Sequence, residues 1–243
     1  MTLPLVLFDV NETLSDMGRM TQHFEEIGAP PQLAGLWFAS VLRDGFALTA
    51  AGQNPSFRDI AAGALRVVLA DQVLNRDGDA AVEHVLTALQ NLPAHPDVHD
   101  GVHDLSGAGF DIAALTNGAA TTAVGLLERT GLRSSFTAVL SVEDAPRWKP
   151  SPEAYAYALS ALGREAGDVV LVAVHPWDID GAARAGLRTA WLNRSGVPYP
   201  PVMMRPDHEV STIGGLPGVL LGESAARQLP DPGPGETDRG PAS

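Results

Sequence analysis

A short apolar run, residues 3–8, stops abruptly at the acid Asp9, and the same shape recurs along the chain. Residues 110–115, 137–141 and 168–174 repeat it, and 189–192 supply a fifth run. Runs of strand length that are apolar throughout, rather than alternating, suit strands covered on both faces, as in a parallel sheet. Helical patterns separate them. Residues 121–130 end at Gly131, 152–162 at Gly163 and 179–185 at Gly186, each glycine placed as a helix C-cap. This alternation over 94–222 predicts β-α-β crossovers and an α/β fold built on a doubly wound parallel sheet.

Residues 16–93 break the rhythm. The segments 17–27, 31–48, 56–73 and 79–89 read as helices with no strand among them. A helical block inserted after the first strand predicts a cap domain over 16–93, with 1–15 and 94–222 forming the core. Residues 223–243, rich in Pro, Gly, Ala, Asp and Glu, read as a disordered tail.

Charge and composition narrow the function. The 29 acidic and 16 basic residues leave a net charge of −13, the wrong sign for a nucleic-acid binder. A small anionic substrate stays possible, since a few placed donors override the global field. With no cysteine, the chain has no disulfide framework, thiolate metal site or cysteine nucleophile, and it suits a reducing cytoplasm. No apolar run approaches the ~20 residues of a membrane span. The N-terminus lacks a basic n-region and reads as a strand rather than a signal peptide.

Ligands of open α/β sheets bind beyond the carboxyl ends of the strands, so the strand ends are the places to search. The first carries Asp9, Asn11, Glu12 and Thr13; the second carries Thr116, Asn117 and Gly118. Lys149-Pro150 follows the third, with Tyr155 beyond, and His175-Pro176-Trp177-Asp178 follows the fourth. Each has a plainer reading. Asp9 and Asp178 could be helix or turn caps, Thr116-Asn117 a turn, Lys149 a surface lysine, and His175 and Trp177 structural. Their joint arrival at four successive strand ends favours a site for covalent catalysis.

FDVNETL, LTNG, WKPSPEAY and VHPWDIDGA resemble the four signature motifs of the haloacid dehalogenase superfamily. VLSVEDAPRWKPSPEAY and the WDxxGA segment are similar to the type II 2-haloacid dehalogenase branch. The resemblance covers all but the tail. It implies a Rossmann-like core, an inserted helical cap, and hydrolysis of short 2-haloalkanoic acids to 2-hydroxy acids without metal or organic cofactor. It places the nucleophile at Asp9, with Lys149 keeping that carboxylate ionised. Thr116 and nearby backbone N–H groups would bind the substrate carboxylate, and Asn117 would face the departing halide. Tyr155 would lie near the substrate, Trp177 would wall the halogen, and Asp178 would orient Lys149 or a water. A homodimer is a family-level expectation.

Departures from the family patterns carry information. Magnesium phosphatases of the superfamily place a second aspartate two residues after the nucleophile and a metal carboxylate in the fourth motif. Here those positions are Asn11 and Val174. Both departures argue against magnesium phosphoryl transfer, so a magnesium-dependent phosphatase of small metabolites stands as the rival reading, and a catalytically idle binding member is a second. Type II dehalogenases also carry an arginine after a tryptophan on the first long cap helix, to receive halide. This chain has Phe38 after Trp37, and Arg43 lies five residues on, about 140° around the helix. Halide is then left to Asn117 and ring edges. Finally, Glu12 and His175 stand where usual members have small or neutral residues. A histidine–carboxylate pair is a common water-activating device, so His175, oriented by Glu12, is expected to deprotonate the water that hydrolyses the Asp9 ester.

Overall fold

A computed structural model describes residues 3–226. All six strands are parallel, in the order β3-β2-β1-β4-β5-β6. They are β1 (Leu5–Phe8), β2 (Ile112–Thr116), β3 (Ala138–Ser141), β4 (Val169–Ala173), β5 (Arg188–Leu192) and β6 (His208–Val210). The five expected strands are present. The sixth is a three-residue edge strand, His-Glu-Val, whose polar content gave no apolar run to find.

Strand side chains alternate between the two faces. Val6, Phe8, Ile112, Ala114, Val170 and Val172 share one buried cluster with α5 (Val98–Gly107), α6 (Ala120–Arg129) and α9 (Leu216–Ala226). Leu5, Leu7, Ala113, Leu115, Val169 and Leu171 point the other way, into a second cluster. That cluster also takes α7 (Pro152–Leu162), α8 (Pro176–Arg184) and the helical insertion. With helices on both faces, the sheet is doubly wound.

The insertion contains a 3-10 turn at Met17–Arg19, then α1 (Met20–Glu26), α2 (Leu33–Ala50), α3 (Phe57–Leu69) and α4 (Gly78–Gln90). Ser56 and Asp77 start α3 and α4 by accepting hydrogen bonds from Asp59 N and Ala80 N. Helix α3 ends four residues before the expected 73, leaving Val73 exposed. Helix α5 was not anticipated, although Val98, Val102 and Leu105 recur at helical spacing and are all buried. Gly101 dilutes that pattern; a Cβ there would lie 2.5 Å from Ile213. Helix α9 runs to Ala226, four residues into the expected tail, and the rest of that tail lies outside the described residues. No helix among the described residues is long and apolar enough to cross a membrane.

This topology fixes where chemistry can occur. The chain leaves β1 to build β2 and β3 on one side, then returns to place β4, β5 and β6 on the other. The crevice at that reversal lies at the carboxyl ends of β1 and β4, where Asp9 and His175 follow the strands.

Candidate active site

Asp9 is buried, and its backbone N–H donates to Val172 O at 3.0 Å, which extends the β1–β4 pairing by one residue beyond β1. Its two oxygens have separate partners. Lys149 Nζ donates to Oδ1 at 2.9 Å; Thr13 Oγ1 donates to Oδ2 at 2.7 Å, where His175 Nδ1 also lies at 3.1 Å. Burial alone would push the Asp9 carboxyl up, but Lys149 and His175 outweigh it and hold it well below the ordinary carboxylate range. The carboxylate is ionised at any physiological pH.

Lys149 is fully buried between two acids, with Asp178 Oδ2 at 2.6 Å on its other side. Desolvation would lower its pKa, yet Asp178 and Asp9 raise it above the usual lysine value. Asp178 is pushed up by burial, since it shares one ammonium with Asp9. Helix α8 starts at Pro176, so Asp178 sits inside the first turn and is not the N-cap that its position before residue 179 suggested. Its Oδ1 accepts from Tyr155 OH at 2.6 Å. Tyr155 is itself fully buried, and its hydroxyl is spent on Asp178.

The WDxxGA segment now has a packing reason. A Cβ on Gly181 would lie 2.6 Å from Pro150 Cβ, 2.7 Å from Tyr155 OH and 2.9 Å from Pro150 O. Only a glycine lets α8 approach closely enough for Asp178 to reach Lys149. Gly181→Ala is expected to cost about 1–3 kcal/mol of stability by overpacking. Because it displaces Asp178, it should also lower kcat at least ~10-fold. Thermal unfolding and initial-rate assays read the two effects separately.

Asn117 uses its amide on the Lys149 backbone: Nδ2 donates to Lys149 O at 3.1 Å and Oδ1 accepts from Lys149 N at 2.9 Å. It positions the lysine, and only one of its N–H groups is left for a halide. Thr116 Oγ1 accepts from Gly118 N at 2.9 Å, which leaves its own proton to donate.

His175 and Glu12 do meet. His175 Nε2 lies 2.6 Å from Glu12 Oε2 while Nδ1 faces Asp9, so a carboxylate stands at each ring nitrogen. Burial would lower the imidazole pKa, but the bonds to Asp9 and Glu12 raise it to about 9. Trp177 stacks on the ring at 4.9 Å between centroids, and Phe38 lies against it at 6.5 Å. Arg43 pairs with its neighbour Asp44 on the surface.

Two features escaped the sequence reading. Thr13 was noted as adjacent, but its bond to Asp9, with its oxygen accepting from Val174 N at 3.1 Å, was not. Glu12 takes a left-handed backbone, φ 61°, strained for a side chain with a Cβ. Its carbonyl lies 3.0 Å from His95 Nε2, and Arg194 donates to Thr13 O at 2.9 Å while paired with Asp97. Neither residue lies near the motifs in sequence.

A cavity of about 300 Å³ opens next to Asn11 and Thr116, with Asp9, Lys149 and His175 outside its lining. Asn11, Thr116, Gly118 and Ala119 line it from the core; Phe57, Arg58, Leu86 and Leu89 line it from α3 and α4. Helix α6 begins at its floor with no capping side chain, which leaves its first N–H groups for an anion.

The family profile of haloacid dehalogenase-like hydrolases matches residues 3–186. The (S)-2-haloacid dehalogenase of Pseudomonas sp. (strain YL) is 28% identical, over 91% of this chain and 95% of that protein. Haloacetate dehalogenase H-2 of Moraxella sp. (strain B) is 26% identical, over 87% and 95%. The solved L-2-haloacid dehalogenase of Xanthobacter autotrophicus superposes with a TM-score of 0.82 at 25% identity, covering 91% of this chain and 99% of that one.

Proposed function

The chain belongs to the haloacid dehalogenase-like hydrolases, and from that premise we propose that it hydrolyses short 2-haloalkanoic acids to 2-hydroxy acids through an ester on Asp9. The observation that carries this reading is a buried carboxylate kept ionised by an ammonium and an imidazole at the switch point of the sheet. The substrate carboxylate sits against Thr116 and the start of α6. Asp9 attacks the carbon bearing halogen, the carbon–halogen bond breaks with its electron pair leaving as halide, and C2 inverts. Trp177, Phe38 and the free Asn117 N–H face the leaving group.

Esterification removes the charge on Asp9. His175 then keeps only Glu12, its pKa falls, and the proton it held between two carboxylates is released. The neutral imidazole takes a proton from the water that adds to the ester carbonyl; the adduct then collapses, the bond from the Asp9 acyl carbon to the ester oxygen breaks, and the departing alkoxide takes the proton of the re-formed Asp9 carboxyl to leave as the 2-hydroxy acid. The cycle closes with Asp9 ionised and His175 protonated; the net products are the hydroxy acid, halide and one proton. Residues 16–93 act as the cap that keeps bulk water out, over a core of 1–15 and 94–222. The absence of cysteine supports a cytoplasmic setting.

The same donor set does not suit the magnesium ion of a phosphatase. Around Asp9 stand Lys149 and His175, both cationic, and the positions for a general acid and a metal carboxylate are Asn11 and Val174. The test is halide release from racemic 2-chloropropionate and from chloroacetate in excess EDTA. Release that survives EDTA is the expected result. No release, together with magnesium-dependent hydrolysis of an aryl phosphate, would overturn the reading.

A further inference from the structure

Away from the Asp9 edge, three side chains that can ligate a metal converge where α1 meets α4. His23 and Glu26 lie three residues apart on α1, hence on one face. His84 reaches them from α4. Glu26 Oε2 is 3.0 Å from His23 Nδ1 and 2.9 Å from His84 Nε2, and the three atoms all lie within 4.8 Å of one another. The two rings meet edge to face with centroids 5.9 Å apart.

The carboxylate is held in place from behind. Gln22 Nε2 donates to its other oxygen at 3.1 Å, which leaves Oε2 for the histidines. Asn75 Nδ2 and Arg76 Nη2 donate to the Glu26 carbonyl at 3.0 and 2.7 Å, anchoring the end of the helix. Supporting hydrogen bonds of this kind orient metal ligands. The bonds from His23 and His84 also hold the Glu26 carboxyl below its usual range, so the ligating form is present at neutral pH.

We propose that His23, Glu26 and His84 form a divalent transition-metal site of the zinc class that clips α1 to α4, with water completing the shell. Ligand atoms at tetrahedral zinc, bonded at about 2.0–2.1 Å, stand about 3.3–3.4 Å apart. The two edges to Glu26 Oε2 would open by about 0.4 Å on binding, and the third, between His23 Nδ1 and His84 Nε2, lies within 4.8 Å and would settle to the same spacing. Two imidazoles and one carboxylate select zinc, cobalt, nickel or copper over magnesium and calcium, which take oxygen. A neutral histidine binds by moving its proton to its other nitrogen; a protonated one releases a proton. Side-chain exposures of 28%, 38% and 30% leave the site open to bulk ions, and a net charge of −13 draws cations to the surface.

The experiment is calorimetric titration of untagged, EDTA-treated protein with zinc chloride, repeated with cobalt chloride to read visible d–d absorption. One equivalent of each ion is expected to bind. Saturating zinc, at a hundredfold excess over Kd, should raise Tm by about 5–10 °C. His23→Ala/His84→Ala should abolish binding, and Glu26→Gln should weaken it at least ~10-fold, with folding checked by circular dichroism. The control is His99→Ala/His103→Ala, which removes the edge-to-face histidine pair on α5 and should leave binding intact. The proposal fails if no equivalent binds, if binding persists without His23 and His84, or if the control abolishes it.

Discussion

Asp9→Asn is expected to reduce halide release by at least ~10⁴-fold, which corresponds to about 5–6 kcal/mol of lost transition-state stabilisation. An amide cannot displace halide from carbon, so this loss belongs to the chemical step and not to binding. The variant should fold, because Lys149 keeps Asp178 and His175 keeps Glu12 when the Asp9 charge is gone. Halide release in a single turnover, with Asp9→Ala as a second variant, separates the two effects. Activity within tenfold of the native protein in both variants would put the nucleophile elsewhere.

His175→Asn should act one step later. The first equivalent of halide should appear at a rate within about tenfold of the native protein, and steady-state turnover should then fall about 10²–10⁴-fold, the usual worth of a general base. Intact-mass spectrometry should find one carboxyalkyl group per chain, on the peptide that contains Asp9. Without burst or adduct, His175 has no part in ester hydrolysis. The same variant carries a pH signature. His175 titrates at about 9 in the folded protein and near 6.5 when free, so its stabilisation is complete below pH 6.5 and is lost as pH rises through 9. That window is worth on the order of 3 kcal/mol. Urea midpoints should fall between pH 7 and pH 10 in the native protein and fall less in His175→Asn.

The parallel sheet was readable because its buried strands are apolar on both faces, and its glycine stops sit where helices end. Gly163, at φ 61°, closes α7 at the residue expected. The convergence was readable where motif residues follow the strand ends directly: Asp9, Lys149, Asp178, Glu12 and His175 do meet. What one dimension hides is which way a side chain faces. Tyr155 and Asn117 share motifs with these groups, yet one donates to Asp178 and the other grips the Lys149 backbone. Arg194 and His95 support the Asp9 loop from far along the chain, and no spacing rule links them to it. Strand β6 was missed because an edge strand of three residues needs no apolar signature.

The helical insertion shares its hydrophobic cluster with one face of the sheet: Met20, Phe24, Trp37 and Leu65 belong to the same unbroken cluster as Leu7, Leu115, Trp148 and Tyr155. Polar bonds stitch the same boundary, from Asn54 to Val142 O and Ala145 O, from Arg147 to Thr49 O, and from Trp148 to Pro55 O. The insertion is therefore no portable module. Grafted onto another sheet, it would arrive with half of its interior missing, so changes in the pocket have to be made residue by residue along α3 and α4 rather than by exchanging the block.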